Sequence, residues 1–403
     1  MNVDTDQSQS LLTINSGSSS LRFALFSIHE PDTPQCLYRG GITAIGGGGR
    51  FHVHDAGGDL FHAQDTAIPD HGHALQILLA WLSKEMLLQK LVGVGHRVVH
   101  GGRRFHAPVR VTEENLVYLK TLIPLAPNHQ PACLLGITTL QGLQPGLPQV
   151  ACFDTAFHHD RPAVEQYFAL PAHPKLDDVR RYGFHGLSYE YIASILPDHL
   201  GKLADGKVIV AHLGHGASLC AMNQRRSVAT TMTFTPLDGI PMGTRCGSID
   251  PAVVLYLQDQ GMTAGAVSDL LYFQSGLLGV SKETDDMAEL LASSSAQAQL
   301  AIEQFVHHTV RSIGSLAAAL GGVDALVFTA GIGEHAAPIR AAIGERCQWL
   351  GLYLDRSANQ LGHTLISRSD SPVGAWVIGT DEESMIARHS LRVLEHHKQR
   401  NTL

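Results

Sequence analysis

The chain has 403 residues, 44% of them hydrophobic and 16% charged, with a net charge of −8. That length suits two domains rather than one, and the balance suits soluble globular domains with sizeable cores. An acidic chain argues against nucleic-acid partners, which need a basic face, but it leaves room for small anions gripped by local arginines.

The opening MNVDTDQSQS is polar and acidic, unlike a signal peptide, and no apolar run approaches the roughly 20 residues of a membrane span. β-Rich runs predict strands at 11–15, 21–26, 91–100, 150–153, 207–213, 218–222, 325–330 and 376–380. Between them, Leu75, Leu78, Leu79 and Leu82 are spaced as on a helix over 73–89. The Ala- and Leu-rich stretch 285–320 puts Ile302, Val306, Val310 and Ile313 on one helical face. Asp250-Pro251 reads as an N-cap followed by proline at the first helical position. Strands and helices mixed throughout indicate an α/β fold.

One pattern occurs twice. LLTINSGSSSLRFAL (11–25) and VIVAHLGHGASLCAM (208–222) both run strand, Gly/Ser bend, strand, about half a chain apart. A duplicated fold accounts for this, with the domain boundary near 150–160. The six cysteines are scattered with no C-x-x-C pair, which predicts reduced thiols and a cytoplasmic location. The 24 histidines include His52/His54, His71/His73 and His158/His159, and we read them as scattered surface or loop residues rather than metal ligands.

Several motifs carry chemistry. GKLADGKV (201–208) matches G-x-x-x-x-G-K, but Val208 follows where Ser or Thr belongs, and the strand comes after it rather than before, so it reads as a surface turn. In INSGSSSLR, Gly17 permits a sharp bend with amides turned towards anionic oxygens. Ser18, Ser19 and Ser20 add hydroxyls, Arg22 adds charge, and Asn15 offers an amide for a hydrated metal. A plain Ser-rich hairpin would look the same in isolation. GHGAS (214–218) repeats that physics, and FTAGIGEH (328–335) is a Gly-rich turn opening a helix, suited to a nucleotide. Arg97 in GHRVVHGG and Arg245 in PMGTRCGSIDP sit in Gly-flanked settings and could read carboxylates or phosphates bidentately. A structural salt bridge is the competing reading for either one alone.

Taken in order, INSGSSSLR, GHRVVHGG, APNHQP, FDTAFH, RRYGFHG, HLGHGAS, FTPLDGIPMGTRCGSIDP, SGLLGVS, FTAGIGEH and TDEESMIAR run nearly end to end in a pattern that resembles the acetate kinases and their short-chain acyl kinase relatives, such as the propionate kinases. The resemblance implies a duplicated actin-like, ribonuclease-H-like fold with two domains around a cleft, a homodimer, and phosphoryl exchange between ATP and acetate that depends on Mg²⁺, with Mn²⁺ as an alternative ion. It divides the chain into 1–154 and 155–385, with the helix 386–403 packing back on the first domain. By position it implies Asn15 and Glu382 at the metal, and Ser18, Ser20 and Arg22 near the phosphates. Arg97 and Arg245 would flank the reacting carboxylate and γ-phosphate, with Asp154 as the catalytic carboxylate, His185 on the transferring phosphoryl group and His129 nearby. Val99, Phe184 and Pro236 would line the acyl methyl pocket. ATP would contact His212, Leu213, Gly214, His215 and Gly216, then Asp286, Met287 and Ala288, then Ala330, Gly331, Ile332, Gly333 and Glu334.

This chain departs from that pattern where Arg22 replaces a usual Lys, Asn128 a usual Leu, His215 a usual Asn, Ala288 a usual Arg and Ala330 a usual Gly. Two other readings share the hairpin physics: a sugar kinase, which needs a base for a hydroxyl, and a nucleotide-gated clamp that hydrolyses ATP slowly without regard to acetate. Two arginines suited to a carboxylate and a phosphate favour the acyl kinase.

Overall fold

The computed structural model describes residues 9–17, 19–28 and 34–400. The chain forms two units. The first runs to Ala156 and resumes at Asp381, and the second is Phe157–Thr380. The sequence expectation placed these junctions at 154/155 and 385/386.

In the first unit, β1 (Gln9–Ser16), β2 (Leu21–Ile28), β3 (Gln35–Thr43), β4 (Gly47–Asp55) and β5 (Leu60–Ile68) form an antiparallel run. β6 (Leu91–Val98) and β8 (Gln149–Phe153) add in parallel, and β7 (Val109–Arg110) closes the far edge. The order is β5-β4-β3-β2-β1-β6-β8-β7. The second unit orders β11 (Arg226–Thr230), β10 (Ala217–Asn223), β9 (Lys207–Leu213), β12 (Ala325–Thr329) and β13 (Gly374–Val377) as β11-β10-β9-β12-β13. Its first three strands are antiparallel and the last two are parallel to β9. Five strands of the first sheet, β3-β2-β1-β6-β8, follow the same path with the same directions. The twofold pattern in the sequence is thus a repeated sheet topology.

Each sheet supports its own core. Leu12, Ile14, Leu21, Phe23, Phe51 and Val53 pack with Leu75, Leu78, Trp81 and Leu82 of the helix His71–Lys84, which Asp70 caps by accepting the His73 amide at 2.8 Å. Val208, Val210, Cys220, Met222 and Val327 pack with Tyr189, Ile192 and Leu196 of the helix Gly186–Leu200. The helix Glu382–Arg400 lies close against β6, where a Cβ on Gly95 would fall 2.3 Å from Ser390 Oγ.

Each anticipated strand overlaps an observed one, the last only at 376–377 because β13 is Gly374–Val377, but β3, β4, β5, β7 and β11 carry no clear signal in the sequence. β3 and β4 hold Gly40-Gly41 and Gly47-Gly48-Gly49, and glycine is depleted in strands. The helical stretch 285–320 is two helices, Met287–Ala292 and Ala296–Leu320, broken at three serines where Ser295 caps the second. The turn at 201–205 is a 3₁₀ segment ahead of β9, and Asp250 caps its helix as expected. All six cysteines are free thiols. The histidine reading needs correction. His71, His96, His100, His158 and His212 are buried rather than superficial. Burial pushes the imidazole of His96 down to about 4, and those of His100 and His158 down to about 3.

Candidate active site

The first unit assembles a charged cluster at the ends of its central strands. Asn15 stands near the end of β1, Arg97 near the end of β6, Asp154 just beyond β8, and Glu382 at the start of the returning helix. Parallel β1, β6 and β8 end on the same side, which is why residues so distant in sequence converge. Arg97 donates Nε to Asp154 Oδ1 at 2.9 Å and Nη2 to Oδ2 at 2.5 Å, a bidentate pair with Asp154 only 1% exposed. Its Nη1 donates to Asn15 Oδ1 at 3.2 Å, and Asn15 Nδ2 reaches Glu382 Oε2 at 3.5 Å.

Burial opposes the charge of Arg97, but Asp154 and Glu382 outweigh it, so the guanidinium pKa lies above its ordinary value. Glu382 is pushed up to about 7, first by burial and then by the charges of Asp154 and Glu383, against the pull of Arg97 and Arg22. Among the described residues, no three His, Cys, Asp or Glu side chains form a ligand cage. A half-buried carboxylate crowded by like charge beside an amide oxygen nonetheless fits a hard cation that keeps waters and phosphate oxygens for most of its shell. Mg²⁺ and Mn²⁺ both meet that description.

The bend after β1 is tight, with the Gly17 amide donating to the Ser20 carbonyl at 2.8 Å and the Gly17 carbonyl 2.7 Å from His71 Nε2. Arg22 pairs in register with Asn15 and is exposed, and Ser18 lies outside the described residues. Val99 is buried just past β6, and His129 stands at the entrance of the helix Gln130–Leu143. That helix start is tied to the Arg97 strand: Gln130 accepts the His100 amide and donates to its carbonyl, both at 3.1 Å.

The second unit builds its cluster on the bend between β9 and β10, Gly214-His215-Gly216. A Cβ added to Gly216 would lie 3.5 Å from Arg245 Nη2 and 3.5 Å from His185 Nε2, so guanidinium and imidazole converge over that glycine. Arg245 Nη1 donates to the Pro236 carbonyl at 2.8 Å. Its loop is drawn in by Gly276, whose φ of +62° and approach of 2.1 Å from Cβ position to Met242 O exclude any side chain. His185, itself at φ +55°, opens the helix Gly186–Leu200, and its ring stacks on that of His212 at 4.3 Å.

The remaining expected contacts fall around the same bend. His215 Nε2 pairs with Asp285 at 2.9 Å, which ties the segment 285–288 to the hairpin. Asp286 caps the helix Met287–Ala292 by accepting the amides of Ala288 and Glu289; Met287 is buried and Ala288 exposed. Leu213 is buried at the end of β9, and Phe184 is buried with its carbonyl near His158 Nε2. The helix Ala330–His335 opens directly from β12, and Ala330 takes φ +64°. Within it Gly331 is exposed, Ile332 half-buried and Gly333 buried, and Glu334 Oε1 accepts the amides of Ala330 at 2.9 Å and Thr380 at 3.3 Å.

Sequence reasoning missed the hydrogen-bonding layer under His185 and His212. Ser218 Oγ lies 2.9 Å from His185 Nδ1 and 2.5 Å from Tyr189 Oη, and Ser188 Oγ lies 2.8 Å from both His212 Nδ1 and Thr380 Oγ1. Ser218 is the last residue of the motif GHGAS, and Ser188 stands two residues beyond the motif RRYGFHG. Strand register, which sets Ser218 opposite His212, is the signal that would have found the first. Asp285 was passed over in favour of its neighbours.

Comparison with known proteins places nearly the whole chain in a family. A family model described as the acetokinase family matches residues 10–388. An acetate kinase of Rhodopseudomonas palustris is 52% identical over 96% of this chain and 98% of its own, and one of Rhizobium meliloti is 46% identical over 95% and 98%. Among solved structures, a propionate kinase from Francisella tularensis superposes with a TM-score of 0.88 at 37% identity, covering 94% of this chain and 98% of its own. The Porphyromonas gingivalis acetate kinase follows with 0.84 at 33%, covering 96% and 100%. With the twice-built sheet and both arginine clusters lying inside a match that spans almost every residue, this chain belongs to the acetokinase family.

Proposed function

We propose that this protein is an acetate kinase, which transfers the γ-phosphoryl group of ATP reversibly to acetate to give acetyl phosphate and ADP. An acetate oxygen attacks the γ-phosphorus as the bond to the β–γ bridging oxygen breaks, and the bond electrons leave on ADP. Acetate is ionised at neutral pH, since carboxylic acids have pKa values of about 4 to 5, so no base is needed to make the nucleophile. The work left is to hold two anions in line and to meet charge on the equatorial phosphoryl oxygens.

Arg97 takes the acetate carboxylate in this reading. Asp154 acts as its orienter, because both of its oxygens are already committed to the guanidinium. Arg245 and His185 meet the phosphoryl oxygens, with His129 nearby, and Val99, Phe184 and Pro236 contact the acyl methyl. Asn15 and Glu382 would hold Mg²⁺ or Mn²⁺, which lowers the repulsion between the anions. Ser18, Ser20, Arg22, 212–216, 286–288 and 330–334 take the nucleotide. What carries the reading is Arg97 clamped by Asp154 among hard oxygen donors, in a chain whose near-full-length relatives are named acetate kinases.

A homodimer is supported by the helix Pro251–Asp259, PAVVLYLQD, which buries none of its residues in the single chain: Leu255 and Tyr256 are each 61% exposed. A second copy covering that face would be seen by light scattering on the purified protein. Six free thiols suit the cytoplasm, and no helix among the described residues is long and apolar enough to cross a membrane.

The deciding experiment offers purified protein and Mg-ATP acetate, propionate, butyrate or glycerol, with hydroxylamine to trap acyl phosphate. Acetohydroxamate as the major product is expected. A faster reaction with propionate would make this a propionate kinase, and ADP release without any hydroxamate would overturn the acyl kinase reading.

A further inference from the structure

We propose that Tyr189 and Ser218 are positioning residues that lock His185 in its Nε2–H tautomer, so that the ring presents a neutral hydrogen-bond donor beside Arg245. This inference rests on the reading above, in which His185 meets the transferring phosphoryl group.

The direction of the chain follows from counting protons. Tyr189 Oη and Ser218 Oγ are 2.5 Å apart, Ser218 Oγ and His185 Nδ1 are 2.9 Å apart, and Tyr189 and Ser218 are both 0% exposed. A tyrosine hydroxyl carries one proton, and burial raises the Tyr189 pKa well above its ordinary value, so that proton stays in place. Among the described residues Tyr189 Oη hydrogen-bonds Ser218 Oγ, so Tyr189 donates to Ser218. The serine hydroxyl, having accepted from Tyr189, donates its own proton to His185 Nδ1. Nδ1 is then an acceptor, and the ring proton of neutral His185 sits on Nε2. The reverse chain, with Nδ1 donating to Ser218 and Ser218 to Tyr189, would leave the tyrosine proton buried and unpaired.

Charge favours the same answer. His185 Nε2 points to the space over Gly216 that Arg245 also faces, and the ring stacks on His212 at 4.3 Å with 24° between planes. An imidazolium there would be set against a guanidinium and a second imidazole. Positive charge at this spot comes from Arg245, and His185 adds a directed N–H that the two hydroxyls aim.

The test is long-range ¹H–¹⁵N spectroscopy of the full chain labelled with ring-¹⁵N histidine, using His185→Gln to identify the His185 signals. The expected spectrum has a pyridine-like Nδ1 and a pyrrole-like Nε2. Ser218→Ala should move both shifts towards tautomer averaging, and Tyr189→Phe should move them less, in the same direction. In the hydroxamate assay, Ser218→Ala should lower kcat by about tenfold or more while the KM for ATP stays within about twofold, as when a tautomer-setting partner is removed. A protonated Nδ1 in the parent, or unchanged shifts in both variants, would overturn the proposal. If Ser218→Ala does not fold, Tyr189→Phe gives the same spectroscopic readout. A His185→Gln enzyme with parental kcat would sink the phosphoryl role of His185 while the tautomer spectrum still judged the hydroxyl chain.

Discussion

The two units reach the same end by different anchoring. In both, a bend follows the strand at the centre of a five-strand pattern, and an arginine is carried nearby. In the first, Arg97 stands on β6 and is clamped by a buried carboxylate, Asp154. In the second, Arg245 comes from an irregular loop and is steadied by the Pro236 carbonyl, with the loop backbone bonded from Leu277 N to Met242 O at 2.8 Å and from Ser275 N to Thr244 O at 3.0 Å. The same sheet topology occurs twice, but the arginine stands on a strand in one unit and in a loop in the other. A strand fixes where a side chain points by its pleat, whereas a loop must be tied down bond by bond.

Arg97→Ala should therefore have the largest effect, because it strikes activity and stability together. Loss of one transition-state donor costs on the order of 3 kcal/mol, about a hundredfold in turnover. The Asp154 charge left buried should also destabilise the fold by about 3–5 kcal/mol, visible as a lower Tm. Arg245→Ala should slow turnover at least as strongly, about a hundredfold, with a smaller loss of Tm. Near-parental turnover in either variant would break the assignment, and equal losses of Tm would break the contrast in anchoring.

Acidification sharpens the comparison further. His96 and His100 in the first unit and His158 in the second stay neutral when folded down to about 4, 3 and 3, whereas in the unfolded chain they protonate near 6.5. The unfolded state then holds more protons below about pH 6.5, so stability falls as pH drops from there towards 4, by about 1.4 kcal/mol per pH unit for each histidine. Urea unfolding at pH 7, 6 and 5 should show this slope, and replacing His96 and His100 together should flatten it more than replacing His158. A slope left unchanged by both replacements would contradict the burial of these rings.

The smallest effect expected is a gain. Ala330 holds φ +64°, a conformation costing an L-residue roughly 1–2 kcal/mol. Ala330→Gly should raise stability by about 1 kcal/mol after the entropy of the unfolded glycine is set against it, read as a small rise in Tm. A fall would mean that the methyl group packs favourably enough to outweigh the strain.

Much of this protein is legible in its sequence. The apolar runs marked all the strands that carry the two bends, and the bends themselves were plain in NSGSSS and GHG, because small residues and sharp turns are local requirements. Glycine-rich β3 and β4 were not legible, since their pairing depends on a neighbouring strand rather than on their own propensity. The same holds for the histidines. His158 and His159 are adjacent and alike in sequence, yet one is buried against Ser227 at 2.8 Å and the other is exposed.

By itself the sequence determined the α/β class, the duplicated bends and the residue types at the site, because each of these follows from short-range chemistry along the chain. Only the tertiary structure decided that Arg97 is clamped by Asp154, that Ser218 and Tyr189 stand behind His185, and that Glu382 returns beside Asn15 across 367 positions. Parallel strands and returning helices bring together groups that no local pattern links, and hydrogen bonds formed there depend on distances that the linear order does not contain.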